Sequence, residues 1–137
     1  MKLHRKLKER AEKFLVEAEE DLSRGWEDIA SFHSEQALQL YLKSLLSRFY
    51  SEPPRGHEVR KLFGELIKVL RSIERNDLAK EVEDFVRENR EGLVVLEEAY
   101  FASRYWDVDI DGRKALEIAK KGIELLKRIE VELWSTP

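Results

Sequence analysis

The sequence has no cysteine and only three prolines among its 137 residues. Without cysteine, disulfides, thiolate metal sites and cysteine nucleophiles are all excluded. No apolar run approaches the roughly 20 residues that a helix needs to cross a bilayer. The charged, periodic segment at residues 1–14 also lacks the apolar stretch of a signal peptide. We therefore expect a cytoplasmic protein that has no membrane association.

Motifs that carry catalysis or bind metals in helical proteins are missing as well. The six glycines are scattered, so they form no phosphate-binding loop. No Glu-x-x-His pair of the kind found in di-metal bundles occurs. The three histidines, His4, His33 and His57, have no metal-binding spacing. We expect no metal, no cofactor and no conventional active site.

The composition is typical of a helix-rich globular protein, with 42% hydrophobic and 39% charged residues. The net charge is −3, so no overall basic field favours nonspecific nucleic-acid binding. A local basic patch is still allowed, because 25 lysines and arginines must lie somewhere on the molecule.

Hydrophobic residues at helical spacing predict three helices in the first half of the chain. The first ends at Gly25. The second runs from about Glu27 to Tyr50, because the adjacent Pro53 and Pro54 cannot continue a helix. The third begins near His57.

The second half of the chain shows the same helical spacing. Asn76 is placed to cap a short fourth helix, and a turn or kink follows at residues 88–92. A fifth helix comes next. Asp109 or Asp111 can cap the last helix, which runs to about Leu133.

No segment alternates with a period of two for long enough to predict a strand, and residues 107–111 are the only short candidate. We therefore predict an all-α fold, an up-and-down antiparallel bundle of about five or six helices. The chain shows no repeat and no linker, so one domain is expected over residues 1–137. Short connections favour antiparallel neighbours.

The second predicted helix is apolar around most of its circumference and yet carries polar side chains. On a helical wheel, His33, Gln36, Leu40 and Lys43 fall within roughly 80° of one another. These residues form either a polar stripe at a cleft or dimer seam, or ordinary hydrogen-bonded groups at the edge of the bundle.

Two further places combine residue types that recognise anions or bases. His57 lies at a helix start, where its ring can cap the helix or meet an anion at the positive end of the helix dipole. Arg104 lies beside Tyr105 and Trp106. That combination suits a base or phosphate contact, and it equally suits a loop anchored by buried aromatic residues.

The order of these pieces resembles the HEPN family, the higher-eukaryote and prokaryote nucleotide-binding domain. The resemblance covers about residues 11–133 and rests on four segments: "AEEDLSRG", "SFHSEQALQLYLKSLL", "GHEVRKL" and "AYFASRYWD". It implies a helical bundle, usually a homodimer, that binds nucleotide or RNA and often acts beside a separate small nucleotidyltransferase in toxin–antitoxin pairs. The candidate nucleotide- or partner-binding residues are His33, Gln36, Lys43, His57, Arg104 and Tyr105.

Many members of that family are metal-independent ribonucleases in which an arginine is separated from a histidine by four to six residues. Arg104 matches the arginine, but Asp109, Ile110 and Asp111 occupy the positions where the histidine is expected. We therefore expect no catalytic residue and a non-catalytic binding protein. Two alternatives remain open: a divergent ribonuclease that uses Arg104 with His57, and an interaction bundle whose second helix is covered by another chain.

Overall fold

The computed structural model describes residues 2–105 and 110–134, with the backbone alone for 103–105. This part of the chain contains helices and no strand, which confirms the predicted all-α fold. In chain order the helices are α1 (Lys2–Ser23), α2 (Glu27–Leu46), α3 (Val59–Ser72), α4 (Asn76–Glu88), α5 (Arg90–Tyr105) and α6 (Gly112–Trp134). Most of the strand candidate at 107–111 lies outside the described residues.

The predicted helix ends are partly confirmed. Gly25 terminates α1 with a φ of 79°, a left-handed conformation that glycine adopts without steric cost. Asp111 caps α6, because its Oδ1 accepts a hydrogen bond from the Lys114 backbone N–H at 3.0 Å. Asp109, the alternative cap, lies outside the described residues.

Two predicted helix ends were wrong. α2 ends at Leu46 and not at Tyr50, because the chain tightens into turns in which Arg48 and Phe49 each donate to the carbonyl only three residues back, at 3.1 and 3.0 Å. Asn76 is the first helical residue of α4 and therefore cannot be its cap. Arg75 takes the cap position, without a side-chain capping bond.

Contacts between charged side chains establish that α1 and α6 are antiparallel. Lys8 pairs with Glu130 at 3.5 Å, whereas Glu19 pairs with Lys120 at 3.2 Å, so sequence numbers rise along one helix as they fall along the other. Arg60 pairs with Glu97, and His57 just before α3 stacks on Tyr100, so α5 is antiparallel to α3 as well. Together with the short α1–α2 connection, this supports the up-and-down arrangement that the sequence predicts.

α3 is an exception to the rule that neighbouring helices in the chain are antiparallel. Tyr100 of α5 contacts both Phe32 of α2 and His57 just before α3. Glu97 of α5 also lies near Glu35 of α2, so sequence numbers fall along α5 as they rise along α2. Since α5 is antiparallel to both α2 and α3, these two helices run parallel to each other. The connection at residues 47–58 must therefore return along the bundle, and its two prolines favour the extended backbone that such a return requires.

α2 lies at the centre of the bundle, in contact with α1, α3, α5 and α6. This position explains why its sequence is apolar on nearly every face. The helix also buries five polar residues: Ser31, Ser34, Glu35, Gln39 and Ser44. The hydroxyls of Ser34 and Ser44 donate to carbonyls within the helix, whereas the Ser31 hydroxyl has no partner among the described residues. Glu35 and Gln39 hydrogen-bond to each other through their side chains.

Across residues 2–105 and 110–134, no helix combines the length and the hydrophobicity that a membrane crossing requires.

Candidate functional site: the α2–α3–α5 face

An aromatic cluster, defined by Phe32, His57, Tyr100 and Phe101, occupies the face where α2, the start of α3 and α5 meet. His57 stacks on Tyr100 with ring centroids 4.1 Å apart and an interplanar angle of 5°. Phe101 meets the His57 ring edge-on at 5.3 Å, and Phe32 lies 6.3 Å from Tyr100. Phe101 is 49% exposed, so the cluster opens to solvent and offers an aromatic surface to a planar ligand.

His57 does not cap α3, so one of the two roles predicted for it is not adopted. Glu58 occupies the cap position and makes no side-chain capping bond. The Nδ1 atom of His57 is buried and has no hydrogen-bond partner among the described residues. Stacking, and not hydrogen bonding, therefore holds the ring in place. Because Nδ1 has no described partner, no hydrogen bond to this atom determines which of the two ring nitrogens carries the proton.

The cluster lies next to the arginine that the sequence singled out. Arg104 follows Tyr100 by one helical turn on α5, a rise of about 6 Å along the helix axis. The fold thus brings the start of α3 to the turn of α5 that precedes Arg104. The side chains of Arg104 and Tyr105 lie outside the described part of the structure, and so does all of Trp106.

A buried carboxyl group lies beneath this face. Glu35 of α2 is fully buried, and its two oxygens accept hydrogen bonds from Nε2 of Gln36 and Nε2 of Gln39, each at 2.8 Å. Burial raises the pKa of Glu35 to about 7, although both amide donors and the charge of Lys43 act in the opposite direction. The carboxyl group is therefore partly protonated near neutral pH.

Lys43 extends the same polar stripe of α2 toward the edge of the bundle. Partial burial lowers the pKa of its amine, and the nearby Glu35 carboxylate opposes that effect. The structure thus places Gln36 and Lys43 together around Glu35, within the polar stripe that the helical wheel predicts. Whether they contact a ligand stays a prediction.

His33, the remaining residue of the predicted stripe, faces another helix. Its Nδ1 lies 2.6 Å from Oδ2 of the buried Asp21 of α1, and its ring packs 5.5 Å from Phe14. This hydrogen bond ties α1 to α2 and satisfies the ring. His33 is therefore separated from the Glu35 cluster in its contacts, although it neighbours Phe32.

An arginine–carboxylate pair joins α3 to α5 directly below the aromatic cluster. Nε of Arg60 donates to Oε2 of Glu97 at 2.7 Å, and an Arg60 terminal nitrogen donates to Oε1 at 3.1 Å. The Arg60 backbone N–H donates to the same carboxylate at 3.2 Å, which also satisfies an amide in the first turn of α3. This bidentate pair fixes the position of His57 relative to Tyr100.

Sequence reasoning did not select Glu35, Arg60, Glu97 or Tyr100 as site residues. The sequence pattern could have identified Glu35, because a carboxylate within the apolar circumference of a helix must be buried or paired. No such pattern identifies Arg60 and Glu97, since they lie far apart in the chain on helices that are rich in charge. In the structure, the Tyr100 ring lies flat against the ring of His57.

Among the described residues, no group of three or more histidine, aspartate or glutamate side chains is arranged to hold a metal ion. The candidate site is instead an aromatic stack beside a buried polar cluster.

In the comparison with protein families, residues 4–130 match the HEPN domain. No curated protein and no solved structure matches the chain. The matched region includes every one of the six helices in whole or in large part, and all the residues of the site described above. The chain therefore belongs to the HEPN domain family, which consists of helical domains related to nucleotide and RNA function.

Proposed function

We propose that this protein is a non-catalytic HEPN-type domain that binds a nucleotide at the aromatic cluster. The observation that carries the proposal is the His57–Tyr100 stack with its exposed neighbour Phe101, one helical turn before Arg104. Aromatic rings bind bases through their faces and tolerate any base, and a nearby arginine supplies charge for a phosphate.

The absence of a catalytic pair within the local sequence supports binding without cleavage. Positions 109–111 hold Asp, Ile and Asp, and no histidine follows His57 in the sequence. The partners that we propose, on the resemblance alone, are a second copy of the chain and a separate small nucleotidyltransferase. Size-exclusion chromatography with light scattering tests the first, and co-expression with a candidate nucleotidyltransferase followed by copurification tests the second.

The experiment for binding is a thermal-shift measurement with a panel of nucleotides on the wild-type protein and on the Arg104→Ala and Phe101→Ala variants. A nucleotide at 100 times its Kd adds about 2.7 kcal/mol to the free energy of unfolding. Arg128→Ala is the matched control, because Arg128 is an exposed arginine paired with Glu81 on other helices. The proposal requires a shift that survives in the control and is lost with Arg104→Ala. No shift with any nucleotide contradicts it.

One observation favours a second candidate function, a divergent metal-independent ribonuclease. A histidine from elsewhere in the chain could replace the missing one only if folding brought it close to Arg104. His57 does stack on the residue one turn before Arg104. In this reading His57 would transfer the proton and Arg104 would stabilise the phosphate charge. Cleavage of single-stranded RNA in EDTA that is lost with both His57→Phe and Arg104→Ala would support the ribonuclease. If the RNA stays intact, the ribonuclease is contradicted and nucleotide binding without cleavage is the function that we propose.

A further inference from the structure

The charges of α1 are sorted along its length. Residues 2–13 hold six lysines and arginines and two glutamates, a net charge of +4, whereas residues 14–23 hold four acidic residues and no lysine or arginine. Five of the six cations are exposed: Lys2, Arg5, Lys6, Arg10 and Lys13. None of these five takes part in an ion pair among the described residues, whereas Lys8 pairs with Glu130.

This arrangement opposes the stability of the helix. The start of a helix carries a partial positive charge, so cations there are unfavourable and acidic residues favourable. α1 has no acidic residue in its first turn and no basic residue in its last turn. The pattern therefore costs stability in the isolated protein. A ligand that carries negative charge would offset this cost when it binds.

The basic half of α1 borders a groove of about 460 Å³ between α1, the end of α2 and the end of α6, lined among others by Lys8, Arg48, Lys127 and Trp134. The Arg48 guanidinium lies 3.9 Å from the centroid of the Trp134 ring and stacks on it. We call the exposed cations of α1 together with this groove the basic end of the bundle. It combines positive charge with an arginine–aromatic stack.

Two carboxylates, Glu12 and Glu130, also line the groove and offset part of the charge of its three cations, Lys8, Arg48 and Lys127. Glu130 is already engaged, since it accepts a hydrogen bond from the Tyr41 hydroxyl at 2.5 Å and pairs with Lys8. Arg48 and Lys127 form no ion pair with any described residue. The pKa of His4 lies below its ordinary value, because its ring is partly buried and because Arg48 and Arg5 are nearby, which is consistent with a positive potential at this end.

Anionic membranes and nucleic acids both attract basic helices, and the packing of α1 separates the two. A helix that lies on a membrane inserts an apolar face between the lipids. The apolar face of α1 is already used, because Leu7, Ala11 and Ala18 are buried within the bundle. What remains exposed in its first half is the five cations together with Leu3, Glu9 and Glu12, and this face leads to the half-buried stack of Arg48 on Trp134. Cations and an arginine–aromatic stack are groups that bind the phosphates and bases of a single strand.

We propose that the basic end of the bundle binds single-stranded nucleic acid along its phosphate backbone. This surface is separate from the aromatic cluster, since Phe32 lies near the beginning of α2 and the groove begins at Tyr41, about 14 Å farther along the helix axis. The strand runs along the exposed face of α1, and Arg48 and Trp134 contact it at the groove. The site does not depend on nucleotide binding at His57 and Tyr100.

The test is fluorescence anisotropy with a labelled single-stranded RNA of mixed sequence, measured over a series of salt concentrations. The test variant carries Lys2→Gln, Arg5→Gln, Lys6→Gln and Arg10→Gln. The matched control carries Lys61→Gln, Lys68→Gln, Lys80→Gln and Arg87→Gln, which removes the same charge from side chains that are 68–79% exposed on α3 and α4. A third variant, His57→Ala with Arg104→Ala, separates this surface from the aromatic cluster.

We expect the α1 variant to bind at least tenfold more weakly at low salt. The slope of log K against log salt concentration should be smaller in magnitude by about 2 to 3. The reason is that each phosphate contact on a single strand contributes about 0.7 to this slope, and the variant loses four cations. Its melting temperature should equal or exceed that of the wild type, because unfavourable charges leave the start of the helix. The control variant should bind as the wild type does. The third variant should keep the wild-type slope of log K against log salt concentration, because its α1 cations are intact.

Equal losses in the α1 variant and in the control would overturn the proposal, since they would reflect net charge alone. Loss confined to the third variant would overturn it too, while leaving the aromatic cluster as the binding site. Wild-type protein that binds vesicles containing phosphatidylserine and not RNA would replace the nucleic acid with a membrane surface and so contradict the assignment.

Discussion

The imidazole ring of His57 lies flat on the phenol ring of Tyr100, with the ring centroids 4.1 Å apart. This contact joins the beginning of α3 to the turn of α5 that precedes Arg104. Both candidate functions of the aromatic cluster, nucleotide binding and RNA cleavage, require this contact. A substitution that distinguishes between the two functions must therefore keep the stacked rings and remove the imidazole nitrogens.

His57→Phe keeps an aromatic ring on Tyr100 and removes the imidazole nitrogens. We expect the free energy of unfolding to stay the same or rise, because the buried Nδ1 that lacks a described partner disappears with the substitution. His57→Ala should lower it by about 1–2 kcal/mol, since the stacking and burial are lost. Urea denaturation measures both. A large loss of stability in His57→Phe would show that the ring nitrogens have a structural role.

The stability of the protein should fall as the pH rises through the titration of Glu35. Its pKa is about 7 in the folded protein and 4.5 for the ordinary side chain. Between these values the folded state binds more protons than the unfolded state, so the free energy of unfolding decreases with rising pH and levels off above about 7. The full effect amounts to about 3 kcal/mol.

Glu35→Gln should remove this pH dependence, because the groups that face the carboxyl, namely Gln36, Gln39 and Lys43 on α2 and Glu97 on α5, remain in place. Urea denaturation at several pH values between about 5 and 8 checks it. Glu98→Gln, at an exposed position of α5, is the control and should retain the wild-type slope. An unchanged slope in Glu35→Gln would assign the pH dependence to other groups.

Gly112 should be intolerant of substitution. A Cβ atom there would lie 2.7 Å from the carbonyl oxygen and 2.9 Å from the Cα of Glu27, which are backbone atoms and cannot rotate away. We expect Gly112→Ala to lower the free energy of unfolding by about 1–3 kcal/mol. Gly64→Ala is the matched control, since open space surrounds that position within α3, and it should raise stability by about 0.5–1 kcal/mol. Melting temperatures of the two variants in the opposite order would contradict the close approach of α2 and α6.

Arg60 and Glu97 should be energetically coupled. Their side chains are 32% and 11% exposed and form a bidentate pair, so a double-mutant cycle with alanine should give a coupling energy of about 1–2 kcal/mol. The pair Lys68 and Glu65 is the comparison, because it is exposed on a single helix and should couple by less than about 0.5 kcal/mol. Equal coupling energies in the two pairs would mean that the α3–α5 contact contributes nothing beyond surface attraction.

The helices could be predicted because their apolar spacing, and the glycine and aspartate at their ends, are local features of the chain. Gly25 and Asp111 act as predicted for this reason. Asn76 was wrongly predicted to be a cap, since Arg75 turns the chain one residue earlier and the asparagine falls inside the helix. The return connection between α2 and α3 was also missed, because short connections usually join antiparallel helices.

The candidate site was harder to predict from the sequence than the helices were, because its contacts join residues that are distant in the chain. Gln36 and Lys43 could be grouped from the helical wheel, whereas the Arg60–Glu97 pair depends on how α3 packs against α5. The polar groups of α2 looked unusual in a helix made for a core. They are explained by Glu35, whose carboxyl group requires Gln36 and Gln39 as donors once it is buried.

The central position of α2 also determines how the molecule opens. Amide hydrogens exchange with solvent only when the surrounding structure moves away, and helices on the periphery exchange through local opening. Because α2 is covered by four other helices, no single helix can detach and expose it completely. The backbone amides of α2 should therefore exchange only when the whole protein unfolds. This helix, which carries Glu35 and its hydrogen-bond donors, is then the last part of the native structure to become accessible to water.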